Sequence, residues 1–63
     1  MAASRKLLLD VMTKVAAKHG RDAVITIITE TAKKSEYSAT KLTLIREADI
    51  ATAYAAANAL VGE

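Results

Sequence analysis

The stretch from Ile50 to Val61, IATAYAAANALV, is apolar on every side of the helix it would form, interrupted only by Thr52 and Asn58. A helix of that kind is normally buried all round, and a chain of 63 residues has little else with which to cover it. Surface from a second copy or from another protein is therefore expected. Chains this short are also marginal on their own unless stapled or oligomeric, which points the same way.

No staple is available. The sequence has no cysteine, which excludes a disulfide framework and a thiolate zinc site and makes a cytoplasmic setting the default expectation. Basic residues precede an apolar run near the start, but Leu7, Leu8 and Leu9 are followed at once by Asp10, too short a run for a secretion signal. The Ala-rich stretch near the other end falls short of the roughly 20 strongly apolar residues a membrane span needs, so no membrane partner is expected.

Net charge is only +2, but it is unevenly placed. Residues 1–34 set Arg5, Lys6, Lys14, Lys18, Arg21, Lys33 and Lys34 against Asp10, Asp22 and Glu30. Residues 35–63 set Lys41 and Arg46 against Glu36, Glu47, Asp49 and Glu63. A basic first half and an acidic second half suit antiparallel docking of two copies, or a basic face offered to something else.

The period of the chain is helical throughout, and one domain over 1–63 is the ceiling. Ser4 can cap a first helix in which Leu8, Val11, Met12, Val15 and His19 share a face, widened by Leu7, Leu9 and Ala16. Gly20 ends it, and Asp22 is a natural N-cap for the next segment. The run Val24 to Thr29 is β-branched and has strand propensity, but it does not alternate. On a helical wheel it separates into Val24, Ile25, Ile27, Ile28 and Ala32 against Thr26, Thr29, Glu30, Lys33 and Lys34, so a second helix is predicted.

Ser35 or Ser38 can start the third helix, which stops at Gly62. No glycine or proline lies between Gly20 and Gly62, so one rod from Asp22 to Val61, ~60 Å long, is an alternative. The preferred reading is an all-α protomer of three helices, at about 4–19, 22–34 and 38–61. In the third helix, one stripe (Leu44, Ala48, Ala51, Ala55, Ala59) is expected to face the other helices. A second stripe (Ile50, Tyr54, Ala57, Val61) is expected to form the seam of a homodimer or larger oligomer.

Little in the inventory points to catalysis. There is one histidine and no Gly-rich phosphate loop, and no His/Cys/Asp cluster has the spacing of a metal site, so neither enzyme activity nor a metal or cofactor is expected. His19, in line with the apolar stripe at the end of a helix, is expected to pack or to serve the helix terminus. Ala16 and Gly20 have the spacing of a helix-turn-helix corner, with Lys14, Lys18 and Arg21 near the turn. Thr26 and Thr29, however, fall where that motif buries apolar residues, and no aromatic platform for single strands exists. Tyr37, outside the regular stripes, is read as a capping hydrophobe or as a partner contact.

The function expected from these features is a non-catalytic helical regulator or adaptor that self-associates and binds another protein. Inhibitors and antitoxin-like regulators, including those of phages and mobile elements, offer an analogy by size alone. The alternative is a small basic nucleic-acid-binding protein using Lys14, Lys18 and Arg21 at the first corner.

Overall fold

A computed structural model describes residues 4–62, and among these it is all-α without a strand. Three helices, α1 (Arg5–His19), α2 (Arg21–Lys34) and α3 (Ile50–Val61), are accompanied by two single 3₁₀ turns, Leu42–Leu44 and Glu47–Asp49.

Helix α1 begins where its cap chemistry puts it. The Ser4 hydroxyl accepts from the Leu7 backbone N–H at 3.2 Å, satisfying one of the donors a helix start leaves free. Leu8, Val11, Met12 and Val15 are buried at helical spacing. The flanking residues expected to widen this stripe do not: Leu7, Leu9 and Ala16 are exposed. Gly20 donates its N–H to the Ala16 carbonyl and sits at φ +93°, ψ 168°, a conformation open essentially to glycine alone. One residue thus turns the chain from α1 into α2. Asp22 is not the cap of α2, as the sequence suggested, but lies in its first turn, because the glycine turn brings the helix start forward to Arg21.

Helix α2 buries Ile27, Ile28, Thr31 and Ala32, with Ala23 and Val24 packed beside them, while Ile25 is left 38 % exposed. Its β-branched run is helical because the inward stripe has the helical period. Thr26 and Thr29 direct their hydroxyls back to the carbonyls of Asp22 and Ile25, the usual satisfaction of threonine inside a helix.

The end of α2 rules out the continuous rod. The Tyr37 N–H donates to the Ala32 carbonyl and the Glu36 N–H to the Lys33 carbonyl, with Glu36 at φ +64°. This is the paired-bond Schellman ending, built here on glutamate instead of the usual glycine.

The expected third helix from about 38 is also corrected, since α3 begins only at Ile50. Ala39 and Ile45 are both buried, and on a helix six residues of separation would point them about 120° apart. An extended path with 3₁₀ turns delivers both inward. It is pinned from the other side by Arg5, whose guanidinium donates to the Leu42 carbonyl at 2.9 Å and the Ile45 carbonyl at 2.8 Å.

Helix α3 lies most extensively against α1. The Arg5 bonds join the start of α1 to the residues just before α3, and the His19 Nε2–H donates to the Leu60 carbonyl at 2.7 Å at the other end. The two helices therefore run parallel. A carbonyl can only accept, so the His19 proton is on Nε2.

The two stripes of α3 are reversed relative to the sequence expectation. Ile50 and Ala57, placed in a dimer seam, are 2 % and 0 % exposed inside the protomer, and Tyr54 and Val61 pack against the same core. Leu44, Ala48, Ala51, Ala55 and Ala59, expected inside, are exposed. The reason is area: burying Ile50, Tyr54 and Val61 removes far more apolar surface from water than burying alanine methyls, so the larger stripe takes the core. Of the residues expected in a seam between copies, Ile50 and Ala57 are thus spent inside the protomer, while the alanine face of α3 and Leu60 stay exposed.

Candidate docking groove

Between α1 and α2 the surface is concave. One depression of about 570 Å³ is lined by Leu9, Met12, Thr13 and Ala16 of α1, by Arg21, Val24, Ile25 and Ile28 of α2, and by Thr40, Lys41 and Leu42 of the connection. A second, of about 540 Å³, continues it toward the start of α1 and is lined by Arg5, Lys6, Leu9, Lys41, Leu42 and Thr43. Leu9, Lys41 and Leu42 belong to both, so the two form one groove.

Its construction follows from helix spacing. Leu9, Met12, Thr13 and Ala16 occupy i, i+3, i+4 and i+7 of α1, and Arg21, Val24, Ile25 and Ile28 repeat the pattern on α2. Each row runs about 10 Å along its helix. Leu9 is 55 % exposed and Ile25 38 %, leaving two large apolar side chains on the walls in contact with water.

The charge around the groove has one sign. Arg5, Lys6, Arg21 and Lys41 contribute to the lining, and no aspartate or glutamate does. Arg5 is held by two backbone carbonyls and not by a carboxylate, so its charge is oriented without being neutralised. Neither its place in the groove nor its clamp on the connection was visible in the sequence, where Arg5 is one basic residue among several before a leucine run.

The structure separates the basic residues grouped at the first corner. Arg21 lines the groove. Lys14 and Lys18 are exposed, but about 100° per residue carries them to the flank of α1 opposite Leu9 and Ala16. Tyr37 is not an open contact: it is half-buried, its hydroxyl donates to Asp49 Oδ2 at 2.7 Å and accepts from the Arg46 N–H at 3.0 Å. The Arg46 guanidinium stacks over its ring at 4.2 Å from the centroid.

Asp49 is the hub of this second cluster, which sequence reasoning missed. Ser35 Oγ donates to its Oδ1 at 2.7 Å, closing the 35–49 segment against its own beginning. The Ser35 bond, then the Tyr37 bond, with help from the nearby Arg46 charge, hold the Asp49 carboxyl below the usual aspartate range. A carboxylate so stabilised is a weak base, and the imidazole of His19 bonds at the far end of α3. The Ser35 and Tyr37 bonds to Asp49 fasten the connection between α2 and α3. Its one sequence signal was an aspartate directly before the apolar run, which reads as a helix cap, although the side chain reaches back across the connection.

Among the described residues no group of three or more His, Asp or Glu side chains is arranged to hold a metal ion. No helix among them is long and apolar enough to cross a membrane. Comparison with protein-family models, with curated proteins and with solved structures finds no match.

Proposed function

We propose that this protein is a non-catalytic binding module, an adaptor or inhibitor-like regulator, that seats a segment of another protein in the α1/α2 groove. The observation that carries this reading is the pairing of exposed Leu9 and Ile25 on facing walls of one concavity. Apolar side chains scattered over a convex surface need no explanation, whereas two on facing walls of one groove mark a contact site. A segment lying along the groove covers both, and its helical turns match the row spacing on either wall.

The test compares the tagged protein with a Leu9→Ser, Ile25→Ser double variant in capture from cell extract, with nuclease present. Both residues are partly solvated, so the variant keeps its helical circular dichroism. Proteins held by the parent and lost by the variant support the reading, and an identical retained set from both refutes it.

A second reading, nucleic-acid binding, has in its favour Lys14 and Lys18, exposed one turn apart on α1. It requires retention that nuclease abolishes, a steep fall of affinity with salt, and loss on Lys14→Glu with Lys18→Glu.

A further inference from the structure

We infer that the occupant of the groove is an acidic, amphipathic helical segment of a different protein; this rests on the docking reading above and adds the chemistry of the partner. Three observations carry it. The charged groups in the lining are all cations, Arg5, Lys6 and Lys41 toward one end and Arg21 at the other. Among the described residues, Lys6, Arg21 and Lys41 have no ion-pair partner and Arg5 is bonded only to neutral carbonyls, so no described carboxylate pairs with the cations of the groove. Between these cations the walls are apolar and spaced at i, i+3, i+4 and i+7 over about two helical turns, which matches one face of a short helix.

A segment with leucine-like side chains on one face and carboxylates on both flanks meets all three conditions at once. The apolar face covers Leu9 and Ile25, and the flanking carboxylates reach the cations at either end. A basic or neutral amphipathic segment satisfies the walls but leaves the cations repelled or unpaired.

A second copy of this chain does not fit. Helix α3, IATAYAAANALV, carries no charge, its large apolar stripe is turned into its own core, and the Asp49 carboxylate ahead of it is bonded to Ser35 and Tyr37. Helix α1 sets Arg5, Lys6, Lys14 and Lys18 against Asp10, and α2 sets Arg21, Lys33 and Lys34 against Asp22 and Glu30, so both are net basic and would add cation to cation.

The experiment uses the full chain, ¹⁵N-labelled, titrated with three synthetic helical peptides that share leucines at i, i+4 and i+7 and differ only in flanks of glutamate, glutamine or lysine. The glutamate peptide is expected to shift the amides of Leu9, Ile25 and Leu42 and to bind about tenfold more tightly than the glutamine peptide at low salt, since its carboxylates pair with several cations at the rim. Added salt should shrink that advantage. Lys6→Glu with Lys41→Glu, at two exposed positions, leaves two cations against two carboxylates and should abolish the preference for the glutamate peptide without loss of helicity.

Equal binding of the glutamate and glutamine peptides at the groove overturns the acidic inference while leaving the docking reading in place. If no peptide of any charge shifts the groove amides, both fall. Phosphatidylglycerol vesicles or a short DNA duplex that shift these amides when the peptides do not would replace the acidic-segment proposal with a lipid or nucleic-acid one.

Discussion

At the residue scale, two positions carry most of the non-obvious local physics, and both lie at the ends of α2. Gly20 holds φ +93° with nothing within 4 Å of where a Cβ would stand. Gly20→Ala is therefore expected to destabilise through backbone strain alone, by about 1–3 kcal/mol, with no clash to relax. Glu36 is the mirror case, a glutamate at φ +64° in a position that favours glycine. Glu36→Gly should raise the thermal midpoint, because the left-handed conformation costs an L-residue about 1–2 kcal/mol and glycine gives back only part of that as unfolded-chain entropy. A lowered midpoint would mean that the Glu36 side chain matters beyond its backbone. The glycine was legible in the sequence, while the glutamate was not, since nothing in its chemistry announces a positive φ. Asp49 adds a pH dependence. Its folded-state pKa is depressed by Ser35, Tyr37 and Arg46, so its contribution to stability is complete above the unfolded value of about 3.9 and is lost as pH falls through the lower folded value. Denaturation of Asp49→Asn, followed from neutral pH downward, should accordingly show a shallower loss of stability below pH about 4 than the parent.

At the scale of elements, α1 could be read from period and caps, and α2 from period alone, because their apolar residues are large and gather on one side. Helix α3 could be read as a helix but not for its orientation. Nine of its positions are alanine, isoleucine, leucine or valine spread around the wheel, so periodicity does not choose a face. Bulk does, turning Ile50 and Val61 inward with Tyr54 between them. This yields a paired prediction. Ala57→Glu places a charge where exposure is 0 % and should unfold the protein, since an unpaired buried charge costs several kcal/mol and so small a core has about 3–5 kcal/mol to lose. Ala55→Glu, on the outward face of the same helix, should change stability by no more than about 0.5 kcal/mol. Circular dichroism of the two variants separates the observed orientation of α3 from its opposite.

At the scale of the whole molecule, the extents are 28 × 27 × 17 Å, so the short dimension is less than two helix diameters. A body this thin has no room for an enclosed cavity of ligand size, and concavity appears instead as an open groove between neighbouring helices. The groove depends on the 40–43 segment staying against α1, which is the work of Arg5. Arg5→Met should cost about 1–3 kcal/mol through two lost charge-assisted bonds and speed amide exchange around residues 42–45, with α2 little changed. Uniform exchange across the chain would argue that the connection is held by packing of Ala39 and Ile45 alone. By itself the sequence determined that this chain is all-α, where α1 starts and stops, and that α2 is a helix despite its β-branched run, because caps, glycine and hydrophobic period act over a few neighbouring residues. Only the tertiary structure decided that residues 38–49 are not helical, that Ile50, Tyr54, Ala57 and Val61 belong to the core, and that Arg5, Lys6, Arg21 and Lys41 surround one groove. Each of these depends on partners a dozen or more positions away, Ser35 with Asp49 and Arg5 with Ile45 among them, and local pattern carries no record of such pairs.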